Sequence, residues 1–317
     1  MNVDELFEGI RKKDLRSISR SISIFEDDLQ SKKADELMKR IYPITGNAQI
    51  IGITGPPGVG KSTLMGRLSR RMKETGKDPA LIAIDASSPF SRGSFLGNRI
   101  RMQDSLRENG IFMRSLSNRG FKGGLSLSAL GAVKVLDASG FDPIIIETVG
   151  SGQSDLDIIS IADTTAVILA PGLGDEIQAI KAGIMEIGDI FVVNKIDREG
   201  AFLAMKDIQD ILSLGKSGVW VKPVIGTNSL TGEGLDELIN EIDQHRKFLG
   251  NGHGRDSKPT SELYLLLENK IRKLIDGYVS SDEGTADIID LVRSRKIDPY
   301  EASESIIRKS FNHDHGN

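Results

Sequence analysis

The sequence predicts an α/β fold, a mainly parallel sheet flanked by helices, with helical extensions at both ends. Three observations carry this. Short runs rich in Ile and Val recur at residues 49–54, 80–85, 143–148, 164–170, 190–194 and 219–225. They are continuous rather than alternating, which fits strands covered on both faces. Helix-compatible sequence lies between most of them, as in repeated strand–helix–strand units.

The elements follow in order. Residues 1–45 are mostly polar and helix-prone, and Leu29, Leu37, Met38 and Ile41 form one apolar stripe before Pro43 and Gly46 end the pattern. This stretch reads as an N-terminal helical extension. Residues 46–249 hold the strand runs, and 111–114 offers one more short strand. Gly250-Asn251-Gly252-His253-Gly254 reads as a linker, opening a helical region over 250–317. There Leu263, Leu266, Leu267, Lys270, Ile271, Leu274, Ile275 and Tyr278 recur at three- and four-residue steps, an amphipathic helix. Spacing alone allows that stripe to pack on its own sheet or to form a dimer seam. Further helices are expected over 286–294 and from Pro299.

Composition bounds the function. A chain of 317 residues can bury a sizeable core, and 38% hydrophobic with 27% charged residues excludes a disordered or collagen-like chain. No apolar run approaches the ~18 residues of a membrane helix. The acidic start Met1-Asn2-Val3-Asp4-Glu5 lacks the apolar core of a secretory signal, so a cytoplasmic location is expected. The absence of cysteine excludes disulfides, thiolate metal sites, iron–sulfur clusters and a cysteine nucleophile. A net charge of −4 and 5% aromatic residues, with no basic stripe carrying interleaved aromatics, argue against a nucleic-acid partner. Arg67, Arg70, Arg71 and Lys73 read as the solvated face of one helix.

Gly55-Pro56-Pro57-Gly58-Val59-Gly60-Lys61-Ser62 fits G-x-x-x-x-G-K-[ST], between a strand run and a helical stretch. Phosphates need many N–H donors at close range, and glycines let the backbone wrap them without Cβ clashes. The following helix adds the positive end of its dipole. Lys61 is expected at the β- and γ-phosphates, Ser62 on Mg²⁺, and Thr63 in the cradle through its amide. The sheet is therefore expected to be that of a P-loop NTPase.

Asn194-Lys195-Ile196-Asp197 closes a later strand and matches N-K-x-D. The Asp197 carboxylate can accept from the ring N–H and the exocyclic amine of guanine. Adenine lacks those paired donors, so a buried carboxylate would be left unpaired against it. The Lys195 stem can lie along the base. Asn228, Ser229 and Leu230, after the last strand run, are expected to bring a backbone N–H to the guanine oxygen. Glu147 ends another strand, where a carboxylate can hold a Mg²⁺-bound water, and the Gly150 amide can meet the γ-phosphate. Asp85 ends a strand aimed at the same edge, where ligands of parallel sheets collect, although a helix N-cap is an equally simple role for it. Ser151, not Gln, follows Gly150, and Gln153 lies two residues further on. Arg92, Arg99 and Arg101 sit in a Gly-rich loop rather than in an obvious finger position. Slow intrinsic hydrolysis, accelerated by a partner, is expected.

Together these residues resemble the MeaB/ArgK-type GTPases of the metallochaperone-like branch. The likeness rests on the phosphate loop, on Asp85-Ala86-Ser87-Ser88-Pro89-Phe90 and on Asn194 to Asp197. More telling are Glu147-Thr148-Val149-Gly150-Ser151-Gly152-Gln153-Ser154 and Pro171-Gly172-Leu173-Gly174-Asp175-Glu176-Ile177-Gln178. The resemblance implies GTP and GDP binding with Mg²⁺, slow hydrolysis and homodimers made through the C-terminal region. It also implies service as a chaperone of adenosylcobalamin-dependent methylmalonyl-CoA mutase, gating cofactor loading and protecting the mutase. Lys61 and Ser62 would then serve phosphate and metal, Asp85 and Glu147 the metal, and Asn194, Lys195 and Asp197 the base. Residues 174–188 would be a switch facing the mutase. Asn98 stands where an Asp is usual, which lowers the charge near the metal. Asn228-Ser229 replaces a commoner Ser-Ala, and Asp155 a usual Glu. A nickel-enzyme maturation GTPase is a rival, though it relies on Cys and His for metal transfer, whereas this chain has no Cys and only His245, His253, His313 and His315, of which the pair in His313-Asp314-His315 sits at its end. A small-molecule kinase of arginine or ornithine and a noncatalytic binding module are the others.

Overall fold

The computed structural model describes residues 1–27, 31–85, 102, 104–117, 124–148, 161–172, 184–214, 219–250, 258–281 and 283–312. They form two compact units, Met1–Lys258 and Pro259–Asn317.

The first unit is built on seven parallel strands: β1 Ile50–Thr54, β2 Ala80–Asp85, β3 Phe112–Ser117, β4 Ile144–Glu147, β5 Thr164–Leu169, β6 Ile190–Asn194 and β7 Val224–Thr227. Their order across the sheet is β3-β2-β4-β1-β5-β6-β7, each neighbouring pair parallel. β1 is central because β4 and β5 flank it, so the crevice where the chain turns from one half of the sheet to the other opens beside the loop after β1. Strands β1, β4, β5 and β6 are buried at every position, which is why they read as unbroken apolar runs.

Side chains alternate between two covered faces. On one, Ile51 and Ile53 of β1, Leu81 of β2 and Ile145 of β4 meet Leu64, Met65, Leu68 and Met72 of helix α4 (Lys61–Glu74). Leu238 and Ile242 of the helix Leu235–Phe248 join the same cluster. On the other, Val167, Leu169, Phe191 and Val193 pack with Ala204 and Ile208 of the helix Ala201–Leu214.

The N-terminal stretch folds as three helices, α1 (Val3–Arg11), α2 (Leu15–Asp27) and α3 (Lys32–Ile41), within the same unit as the sheet. Leu6, Ile10, Ile18, Ile22, Phe25, Leu37 and Ile41 are buried there. Leu29, part of the expected stripe, lies outside the described residues, and Met38 is only half-buried. The helix α5 (Gly124–Ala138) packs on β2, β3 and β4 and takes α2 on its back. A Cβ on Gly131 would fall 2.6 Å from the Phe25 ring, so the two helices touch through a glycine.

The last strand is shorter than its apolar run. It begins at Val224, because Val219 and Val221 are exposed while Trp220 turns back onto His245 and Phe248 at ring separations of 4.8 and 5.3 Å. The second unit contains the helices Lys258–Ser281, Glu283–Arg293 and Pro299–Asn312. No helix among the described residues is long and apolar enough to cross a membrane.

Candidate functional site

The loop Gly55–Gly60 leaves β1 in a conformation only its glycines permit. Gly55 has φ 140°, and a Cβ there would lie 2.0 Å from the Ile168 carbonyl oxygen of β5. Gly60 has φ 98°, and its Cβ would lie 2.5 Å from Asn194 Nδ2. Left-handed backbone is close to strain-free for glycine alone, and the neighbouring strands leave no room for a side chain. Lys61 and Ser62 then open α4. Lys61 is 6% exposed, and its Nζ donates to the Gly55 and Pro56 carbonyl oxygens at 2.7 and 2.9 Å. The ammonium thus lies inside the curl of the loop. Pro57, Gly58 and Thr63 are exposed on its rim, and Val59 is buried beneath it.

Glu147, buried at the end of β4, accepts a hydrogen bond from Ser62 Oγ through Oε1. Asp85 is the last residue of β2, two positions beyond the Ala83 that pairs with Glu147. Ser62 and Glu147 make an all-oxygen donor pair, the hard ligand set that suits Mg²⁺. Gly150, Gln153, Asn98, the residues 86–101 that include Arg92, Arg99 and Arg101, and most of 174–188 lie outside the described residues.

Asn194 ties the phosphate loop to the base loop. Fully buried at the end of β6, it donates from Nδ2 to the Val59 carbonyl at 2.8 Å and to Ser229 Oγ at 3.2 Å. Its Oδ1 accepts from the Ser229 N–H at 3.0 Å and from Thr227 Oγ1 at 3.3 Å. Lys195 has φ 63° and reaches across to the Gly58 carbonyl at 2.6 Å. The stem of this lysine therefore spans the gap between the two loops.

Asp197 is exposed, because it stands in the turn beyond β6 rather than within the strand. Its Oδ1 accepts from Asn228 Nδ2 at 2.9 Å, while Asn228 Oδ1 accepts from the Leu230 N–H at 2.9 Å. Sequence reasoning treats Asn228 as a backbone contact, yet its carboxamide is what links the carboxylate to the loop. The Asn228 N–H itself bonds to the Glu233 carbonyl at 3.0 Å. Each of the three backbone N–H groups expected to face the guanine oxygen, at Asn228, Ser229 and Leu230, therefore has an internal acceptor.

The cations of α4 stand at the surface but are engaged by neighbouring loops and helices. Arg67 donates to the Leu230 carbonyl at 2.7 Å, which fixes the base loop from below, and Arg70 donates to Ser105 Oγ at 2.8 Å. Arg71 forks onto both oxygens of Asp236 at 2.6 and 3.0 Å. Lys73 bonds to Asp78, whose carboxyl Lys13 and Lys73 hold below the ordinary carboxylate range despite its partial burial. A sequence window shows these residues on one helix but not the loops that fold back to meet them.

Against known proteins, residues 18–280 match the family model described as methylmalonyl-CoA mutase-associated GTPase MeaB. A protein of Pyrococcus horikoshii named as a GTPase is 42% identical over 315 residues, 97% of this chain and 98% of its own length. GTPase ArgK of Escherichia coli is 31% identical, covering 75% of this chain and 74% of its own. The mouse protein named methylmalonic aciduria type A homolog, mitochondrial, is 31% identical over 74% of this chain and 61% of its own length. In three dimensions, a solved structure described as an LAO/AO transport system kinase superposes with TM-score 0.73 over 96% of both chains at 20% identity, which establishes the shared fold. The phosphate loop after β1 and the Asn194–Asp197 turn after β6 are thus set in a fold and a sequence that agree, and the chain belongs to the MeaB family of GTPases.

Proposed function

We propose that this chain binds GTP and GDP with Mg²⁺ and acts as a GTP-hydrolysing chaperone for an adenosylcobalamin-dependent methylmalonyl-CoA mutase, assisting cofactor loading and protecting the mutase from inactivation. The observation that carries the nucleotide reading is Asn194, one side chain bonded at once to the phosphate loop and the base loop. The client reading rests on the description of the matching family.

In this reading the amides of residues 55–63 and the start of α4 cradle the phosphates. Lys61 exchanges the Gly55 and Pro56 carbonyls for phosphate oxygens and stabilises charge as it moves toward the leaving GDP. Ser62, Glu147 and Asp85 would hold Mg²⁺, which neutralises charge on the β- and γ-phosphates when bound. Water adds to the γ-phosphorus, the bond to the β–γ bridging oxygen breaks, and GDP and phosphate leave. Gln153 is assigned to positioning that water and Gly150 to meeting the γ-phosphate. Asp197 and Lys195 read guanine, with Asn228, Ser229 and Leu230 closing around it. Hydrolysis by the isolated protein is slow.

A homodimer through 250–317 is part of the reading. Leu263, Tyr264, Leu267 and Ile271 stand exposed at helical spacing on Lys258–Ser281, a stripe that a second copy would cover. Leu267→Asp combined with Ile271→Asp is expected to halve the mass seen by sedimentation equilibrium. The functional test is co-purification with a cobalamin-dependent methylmalonyl-CoA mutase, with and without a nonhydrolysable GTP analogue. Nucleotide-dependent complex formation is expected, and failure to bind in every nucleotide state overturns the chaperone role.

A further inference from the structure

We infer that the chain carries a second anion site, sharing no residue with the phosphate loop, in which Arg16, Arg20 and Arg114 receive a small phosphate monoester. The site is a cavity of about 490 Å³ between α2 and the edge strand β3, lined by Met1, Arg16, Ser19, Arg20, Ser23 and Arg114. That volume is in the range of small-molecule sites. Three guanidinium groups and two hydroxyls supply its polar lining, and no carboxylate is among the described residues that line it. In a chain with 45 acidic and 41 basic residues, overall composition does not account for such a cavity.

Arg114 is fixed in advance. Its Nη2 donates to Ser23 Oγ at 3.0 Å and to the Glu26 carboxylate, whose side chain is only 6% exposed. This holds the fork while Nη1 has no hydrogen bond among the described residues. Arg16 and Arg20 lie one helical turn apart on α2, both exposed, and neither side chain has a hydrogen bond or salt bridge among the described residues. The nearest acid in the chain, Asp14, just ahead of α2, feels the charge of Arg16 but bonds to the hydroxyl and amide of Ser17. Like charges at this spacing repel along a helix, a repulsion that a dianion between them would relieve. Planar guanidinium forks match phosphate oxygens in pairs. A second hollow shares Arg16 and Ser19 with this one and is lined by Lys13, Lys73, Arg107 and Asp78 as well as by Phe112 and Phe141, so the organic part of a ligand would meet both apolar and charged groups there.

The test titrates the full-length protein, saturated with GDP and Mg²⁺, at constant ionic strength with inorganic phosphate, glycerol 3-phosphate and glycerol. One saturable site for each phosphate and none for glycerol is expected. Arg16→Gln combined with Arg20→Gln, both at exposed positions, should weaken phosphate binding at least tenfold and leave GDP affinity and melting temperature unchanged. Arg114→Lys should weaken it as well, since the charge facing Glu26 stays and the fork is lost. Absence of saturable phosphate binding overturns the inference, as does binding that survives the double substitution. Tighter binding to an oligonucleotide, or to phosphatidic-acid vesicles, than to the monoester overturns the ligand class. The comparison with wild type can be read whether or not GDP binds, so it stands apart from the GTPase reading.

Discussion

The two ends of the sheet bury similar polar side chains to opposite purposes. At the carboxyl ends of the strands, Lys61, Asn194 and Lys195 bond mainly to loop backbone and shape it. At the amino ends the polar groups close on one another and on the strand starts. Gln49 Nε2 donates to Thr164 Oγ1 and to the Ile242 carbonyl, both at 3.1 Å, and Thr164 Oγ1 lies 2.9 Å from His245 Nδ1. Asp163 accepts from the Ile50 N–H at 2.7 Å and Asp142 from the Gln49 N–H at 2.9 Å, while Arg246 takes both oxygens of Asp142. His245 stands 3.6 Å from Asp189. Burial lowers the histidine and raises the aspartate from their ordinary values, so the imidazole is neutral and the contact is not a full ion pair. Burial of polar residues is therefore no mark of a site in this molecule. What distinguishes the proposed site is polar side chains bonded to the loops at the carboxyl edge of the sheet.

The contrast can be broken most decisively at Lys61. Lys61→Ala should cut GTP hydrolysis by about 100- to 1,000-fold with the melting temperature nearly unchanged. Loss of the fold together with activity would make it a structural residue like those at the opposite end. Asp197→Asn comes next. Losing a charge-assisted pair of hydrogen bonds worth about 3 kcal/mol removes most of a roughly 100-fold preference for GDP over ADP, read by calorimetry. An unchanged preference would refute the guanine assignment. Asn194→Ala sharpens the comparison because it serves both purposes. It orphans the Val59 carbonyl and the Ser229 N–H, and should cost about 2–3 kcal/mol in urea unfolding while also weakening GDP.

The smallest effect is the pH response of the amino-terminal end. The unfolded chain protonates His245 near 6.5 and the folded chain only at lower pH. Its contribution is complete above about pH 6.5 and is lost as pH falls toward the lowered value. Asp189 acts in the opposite sense, favouring the folded state less as pH rises from 3.8 through its raised value. Urea midpoints between pH 8 and pH 5.5 should fall in the wild type and fall less in His245→Gln. Equal slopes would mean that the imidazole titrates normally.

The phosphate loop was legible because its eight residues are consecutive and its two key glycines answer to local geometry. The sheet was legible because strands buried on both faces leave runs that no polar residue interrupts. The N-terminal stretch was legible as helical, but not which residues it buries. Leu6 and Ile10 on α1, and Ile18, Ile22 and Phe25 on α2, recur at helical spacing and are buried, while Met38 of the expected stripe is only half-buried. The Gln49–Thr164–His245 chain joins residues up to 196 positions apart (245 − 49), beyond the reach of any local pattern. The role of Asn228 was hidden for a different reason. Sequence places the loop, but only three dimensions show that its side chain spans from Asp197 to Leu230.

That span has a consequence for selectivity. From oxygen to nitrogen, the Asn228 side chain offers an acceptor to Leu230 and a donor to Asp197, the same order in which the lactam edge of guanine presents its oxygen and ring N–H. If guanine binds as proposed, it trades places with an equivalent amide instead of meeting bare groups. In that reading the exchange costs guanine little desolvation, whereas an intruder with the reverse polarity has to evict a well-matched tenant for nothing in return, which is where the preference arises.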